Sequence, residues 1–220
     1  MQIPNRLKVI GNLIHEGAYI ADIGADHGLL ELFIALNFKD YHILAIENKE
    51  GPLTALKETA GCLKNVDISH SDGLNQVTPE YDTVVLAGMG GDNIINIISR
   101  NIKKLENIKH IIVDAHSFIP KVRQFLIDCG YDISKEKLVF EGGIYYNIIS
   151  FKRNSHQKSY KSDEIDFGYK LYLDPLFKNY KKSVLEKYKK VLDDLEKANK
   201  KEKYAEIKKE MRRFESYGKN

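Results

Sequence analysis

At 220 residues, 30% charged and 43% apolar, the chain has the make-up of an ordinary globular protein with room for one medium domain and an appendage. Its two cysteines, Cys62 and Cys129, stand apart without metal-type spacing, which argues against a disulfide framework and for reduced, partly buried thiols in a cytoplasmic protein. The net charge of +3 is small, no run of about 18 apolar residues occurs, and the start (Arg6, Lys8) lacks a secretory apolar core, so neither a membrane span nor a leader is expected.

The apolar pattern predicts a leading helix over residues 4–15, then alternating strands and helices. Strand 18–23 precedes helix 29–38, and strand 41–46 precedes helix 52–63. A short strand follows at 66–69, then strand 83–87, helix 92–101, strand 110–115 and helix 119–129. Two extended runs, 133–140 and 145–151, are joined by Glu141-Gly142-Gly143 and read as a hairpin. This order predicts an α/β sheet, parallel except at its far edge.

The composition changes after Arg153: residues 154–162 are polar and read as a linker. The expected domains are therefore 1–153 and 154–220. From residue 176 the pattern is helical. Val184, Tyr188, Val191, Leu195 and Ala198 step alternately by four and three, and Tyr204, Ile207, Met211 and Phe214 form a second such seam. A break in phase between them fits two helices folded back through Asn199-Lys200-Lys201, or one long stuttered helix. This tail holds 15 Lys plus Arg against 8 Asp plus Glu, whereas the whole chain has 34 against 31. Such a concentration can be a footprint for nucleic acid, although many Lys-rich helices are simply solvated faces.

Four stations, each at the carboxyl end of a successive predicted strand, carry the chemistry. The first is Asp22-Ile23-Gly24-Ala25-Asp26-His27-Gly28, a strand-to-helix loop of the kind that nucleotide-type cofactors use. A dinucleotide fingerprint wants glycine where Asp26 stands, so that a pyrophosphate can rest on the helix N-terminus. A carboxylate there disfavours a pyrophosphate and suits a cationic cofactor, such as the sulfonium S-adenosylmethionine. The second station is Glu47 with Asn48, about 20 residues beyond the loop, where doubly wound folds place an acid on ribose hydroxyls. The third is Ser71-Asp72-Gly73, a candidate adenine contact that by itself reads as a turn. The fourth is Ala87-Gly88-Met89-Gly90-Gly91, whose glycines allow close approach of a ligand to the backbone.

Taken together, Arg6-Leu7, Ala21-Asp22-Ile23-Gly24-Ala25-Asp26-His27, Glu47 to Pro52, Asp72-Gly73-Leu74 and Ala87-Gly88-Met89-Gly90-Gly91 resemble the bacterial tRNA (adenine(22)-N1)-methyltransferase family. Gly142-Gly143-Ile144-Tyr145-Tyr146 resembles the family's late hairpin motif, and Asp166-Phe167-Gly168 with the helical tail resembles its C-terminal domain. The resemblance implies a class I methyltransferase (Rossmann-like) seven-stranded sheet with a C-terminal α-helical coiled-coil hairpin domain. It implies S-adenosylmethionine as methyl donor, a D-arm adenosine of tRNA as acceptor, and no metal. By position, Asp22, Gly24, Asp26 and His27 would line the methionine end, Glu47 and Asn48 the ribose, and Asp72 and Gly73 the adenine. Ala87, Gly88, Met89 and Gly90 would face cofactor and target base. Two stretches depart from the family pattern: Gly28-Leu29-Leu30-Glu31, where the family has an Ala-Tyr-Leu-Pro-like run, and Val113-Asp114-Ala115-His116, where it has a Gln-Pro-Asn-like motif.

Methyl transfer to adenine N1 asks for alignment above all, because the nitrogen lone pair and the sulfonium are already reactive. Asp26 and His27 are the candidate bases for the N6 proton, with His116 behind them. A helix-cap role for His27 explains that residue equally well. N1 lies on the Watson–Crick edge, so the target base must be unpaired or flipped out. Oligomeric state is not legible, and a monomer is the simplest expectation. Two competing readings are a nicotinamide-dependent oxidoreductase, against which Asp26 counts, and a non-catalytic RNA-binding protein on the same fold.

Overall fold

The computed structural model describes residues 2–154 and 158–219, so residues 155–157 of the expected linker lie outside the described residues. The chain divides into two compact units that meet between residues 158 and 159.

In the first unit, α1 (Asn5–Gly11) leads into β1 (Tyr19–Ile23), α2 (Leu29–Asn37), β2 (His42–Glu47), α3 (Glu50–Ala60) and β3 (Val66–His70). Then come β4 (Thr83–Met89), α4 (Gly91–Ser99), β5 (His110–Ala115), α5 (Ile119–Asp128), β6 (Tyr131–Glu141) and β7 (Ile144–Arg153). The seven strands form one sheet in the order β3-β2-β1-β4-β5-β7-β6. β1 pairs in parallel with β2 and β4, which brings the carboxyl ends of the central strands to one edge.

The departure from parallel pairing lies at the far side of the sheet, as expected: β7, the last strand, inserts between β5 and β6, antiparallel to both, and β6 is the edge. The residues explain the order. β7 is buried continuously from Asn147 to Phe151, as a strand paired on both sides requires, whereas β6 exposes Ser134 and Lys135 as edge strands do. The leading helix is shorter than expected and ends at Gly11.

Strand side chains alternate between faces. Ile20, Ile43, Ala45, Val85 and Ile112 pack with Ile10 of α1, Leu30 and Ile34 of α2, and Leu53 and Leu56 of α3 in one core. α5 is tied to β6 by a buried ion pair: Arg123 donates Nε and Nη2 to the two oxygens of Glu136 at 2.9 and 3.1 Å. Asn147 of β7 donates to Glu136 at 3.2 Å. Cys62 is exposed rather than partly buried, and Cys129 is intermediate.

The second unit holds α6 (Ser162–Phe167), α7 (Phe177–Lys197) and α8 (Lys201–Ser216). α7 and α8 run antiparallel: Tyr188 donates to Glu210 at 2.6 Å, and Lys181 donates to the Glu215 carbonyl at 3.0 Å. The helices fold back with neither Gly nor Pro because Asn199 takes a left-handed φ of 52°, a conformation that Asn tolerates better than most residues. The seam differs from the expected one by a residue: Val191 is exposed and Leu192 is buried. A strict three–four alternation drifts against the 3.6-residue turn, and here the drift favours Leu192. Phe214 is buried among Phe167, Phe177, Tyr180, Tyr188 and Tyr217, which closes the unit around aromatic side chains.

Candidate active site

The strand ends open onto a cleft of about 530 Å³. Its first wall is the loop after β1. The backbone N–H groups of Gly24 and Ala25 donate to the Ile46 carbonyl at 2.8 and 3.0 Å, which draws the loop over the end of β2. Gly24 holds φ at 78°, open to glycine without strain. Asp26 has φ of 52°. The position thus keeps the left-handed backbone for which a fingerprint glycine is suited, while supplying a carboxylate, since Asp is among the few other residues that visit this region. Asp26 and His27 face the solvent side of the cleft, with Oδ1 and Nε2 3.7 Å apart.

Glu47 is buried and organises the loop behind it. Its Oε2 accepts from the Asp26 N–H at 3.2 Å, and its Oε1 accepts from the Asn48 and Lys49 N–H groups at 2.9 Å each. The first two stations are therefore one hydrogen-bonded assembly. Asn48 reaches on to the third, donating to Asp72 Oδ1 at 3.4 Å, while Arg100 pairs with Asp72 Oδ2 at 3.0 Å. Gly73 also lines the cleft.

At the fourth station the β4–β5 register shifts between Ala87 and Met89, which lifts Gly88 out of the ladder with φ of 75°. Ala87, Gly88 and Met89 line the cleft, and Gly90 is not among the lining residues. Instead, a Cβ built on Gly90 would lie 3.2 Å from Ser117 Oγ, and one on Gly91 2.4 Å from the Ser117 carbonyl. Those two glycines let α4 start close against the loop after β5.

Several cleft residues had no role assigned from the sequence. Arg6 and Leu7 of α1 close one side, and Asn93 and Ile97 of α4 another. Arg6 donates to Asp114 at 3.1 Å and lies 5.6 Å from the Tyr146 ring centre. His116 packs edge-on against the same Tyr146 ring and places Nε2 3.9 Å from Asp114. Burial raises the Asp114 carboxyl above its ordinary range, with Arg6 and then His116 opposing the shift. The available signal was the Arg6-Leu7 pair of the leading helix, part of the family resemblance but given no role there.

Four carboxylates (Asp22, Asp26, Glu47 and Asp72) line the cleft against the cations Arg6 and Lys49. That donor set suits a ligand bearing positive charge and hydroxyl or amine donors, and it suits a pyrophosphate poorly. It fits S-adenosylmethionine: carboxylate acceptors at the second and third stations, and negative charge around the first loop. Among the described residues no group of three or more His, Cys, Asp or Glu could hold a metal ion, and no helix is long and apolar enough to cross a membrane.

Residues 3–149 match a methyltransferase domain family. The tRNA (adenine(22)-N(1))-methyltransferase of Bacillus subtilis is 27% identical over 172 residues, covering 76% of this chain and 72% of its own. A Mycoplasma genitalium protein provisionally named as a tRNA methyltransferase is 31% identical over 157 residues, covering 67% of this chain and 69% of its own. The structure of M. capricolum TrmK in complex with S-adenosyl-homocysteine superposes with a TM-score of 0.85 at 24% identity, over 100% of this chain and 99% of that one.

Proposed function

This chain belongs to the methyltransferase domain family and, within it, to the tRNA (adenine(22)-N1)-methyltransferases, and from that premise we propose its reaction and the parts that carry it. It transfers a methyl group from S-adenosylmethionine to N1 of a D-arm adenosine in tRNA. The single observation that carries the residue assignment is the convergence of the four strand-end stations on one acid-lined cleft.

When bound, the cofactor supplies an electrophilic methyl on a sulfonium. The chain's own residues bind and orient. Glu47, pinned by three backbone N–H groups, keeps unused acceptor capacity for the ribose hydroxyls. Asp72, held by Asn48 and Arg100, accepts from the adenine amine. Asp26, exposed in the first loop, offers its charge to the methionyl end. Aligning N1 with the methyl supplies most of the rate enhancement. Methylation leaves the ring cationic, and Asp26 or His27 takes up the proton that N6 then releases.

We assign the work between the units as chemistry in residues 1–153 and substrate grip in 154–220, where the basic charge is concentrated. Phosphate contacts from such a surface position a substrate without reading its sequence. The reading places the enzyme in the cytoplasm. The test is to incubate the protein with labelled S-adenosylmethionine and unmodified tRNA and map the product. N1-methyladenosine in the D-arm supports the reading, and label at another nucleoside or none overturns it.

A further inference from the structure

Glu31 stands in an otherwise apolar run, Leu29-Leu30-Glu31-Leu32-Phe33-Ile34, and is fully buried. Neither of its carboxyl oxygens has a partner within hydrogen-bonding geometry. Its own backbone N–H restrains the carboxyl only weakly, and the side chain that acts on it is Asp22. The two elements face each other: Ile20 of β1 packs with Leu30 and Ile34 of α2, and strand alternation places Asp22 on the same face as Ile20. Asp22 is itself only 5% exposed, yet it lines the cleft.

A carboxyl group buried with so little donor support keeps its proton, because an ionised one would be poorly compensated. A protonated carboxyl carries one O–H donor, and a neighbouring carboxylate is its natural acceptor. The electrostatic surroundings agree. Burial first, and the charge of Asp22 second, hold the Glu31 carboxyl well above its ordinary range. Burial also pushes Asp22 up, to about 6, while the hydrogen bond from Glu31 restrains the rise and the Glu47 charge on β2 adds to it.

We propose that Glu31 is a positioning residue: as a neutral acid it donates to Asp22, keeps that carboxylate ionised at the cleft wall, and so prepares it to receive a cationic group, the ammonium of the cofactor's amino-acid end. This rests on the cofactor assignment above. It also explains why an acid occupies an apolar helix face. The consequence is competition between cation and proton for Asp22. Cofactor affinity should be level near neutrality and fall as the medium is acidified through about 6, the point to which Asp22 is raised.

The test is calorimetric binding of S-adenosyl-homocysteine to the full-length protein across that range. Wild type should lose about tenfold in affinity per pH unit once Asp22 is protonated. Glu31→Gln keeps an N–H donor for Asp22 and should reproduce the wild-type curve. Glu31→Leu removes the donor, so its curve should shift to higher pH and its affinity at neutral pH should fall several-fold. A Glu31→Leu protein that folds and binds with the wild-type curve overturns the proposal, as does a Glu31→Gln protein that behaves like the leucine variant. A ligand-free readout separates the pair from the cofactor reading: the Glu31 carboxyl carbon resonance should stay in its protonated position at neutral pH. An ionised Glu31 there overturns the pair whatever the binding data. A protonated Glu31 in a protein that binds no S-adenosyl-homocysteine supports the pair and overturns the cofactor assignment instead.

Discussion

Arg6 Nη1 lies 3.1 Å from Oδ2 of Asp114, an ion pair that fastens the leading helix to the carboxyl end of β5 and sets a guanidinium on the cleft wall. Asp114 is fully buried, so removing it strands a half-buried cation. Asp114→Ala should cost about 1–3 kcal/mol of stability, the scale of an unsatisfied buried partner, and should lower methyl transfer at saturating cofactor. The sign of the pH dependence follows from burial. A carboxyl whose pKa is raised on folding stabilises the protein in acid, and loses that contribution as pH rises through the folded value. Thermal unfolding across acid pH should therefore show a fall with rising pH that is smaller in Asp114→Asn. An identical slope in the two proteins would refute it.

Glu47 accepts from three backbone N–H groups and still faces the cleft. Glu47→Ala should weaken cofactor binding by about 1.5–3 kcal/mol, the scale of hydrogen bonds to a charged group. Asp72→Ala should weaken it less, because Asn48 and Arg100 already share that carboxylate. Calorimetry showing unchanged affinity in both variants would remove these residues from the cofactor site.

Asp26 combines a left-handed backbone with an exposed carboxylate. Asp26→Gly satisfies the backbone and deletes the charge, and Asp26→Asn does nearly the same with the side chain kept. Both should fold with wild-type unfolding temperatures and show reduced activity and cofactor affinity. Full methyl transfer by Asp26→Asn would mean that the position serves the turn alone.

Lys189, Lys190, Lys203 and Lys209 are exposed on α7 and α8. Replacing all four with Gln should weaken tRNA binding and flatten its salt dependence, by a slope change of about 0.7–0.9 for each phosphate that is no longer neutralised. Binding of S-adenosyl-homocysteine should stay as in wild type. Equal tRNA affinity with an equal salt slope would make the hairpin a structural or assembly element.

Arg123 and Glu136 are both buried and hydrogen-bonded through two pairs of atoms. Glu136→Ala leaves a guanidinium inside the protein and should destabilise by about 3–5 kcal/mol. Replacing both with apolar residues should recover much of that loss, which denaturant unfolding of the single and double variants can measure.

The alternation of short apolar runs with amphipathic ones was enough to read an α/β sheet, because side-chain periods of two and of three to four follow from local backbone geometry. That residues 22–27, 47, 72 and 87–89 gather at one cleft was legible for a similar reason. Glycine and acid at strand ends leave a local signature, and parallel strands must bring those ends to one edge. The strand order at the far side was not local. Hairpin residues do not say which arm pairs with β5, and only the continuous burial from Asn147 to Phe151 against the exposed Lys135 decided it. The turn at Asn199 and the choice of Leu192 over Val191 likewise depended on how α7 and α8 met. Glu31 and Asp114 are the sharpest cases. Each reads in sequence as an ordinary acid, and each acquires its chemistry from tertiary burial, which removes water and leaves a partner on another element, Asp22 of β1 or Arg6 of α1, to settle its charge.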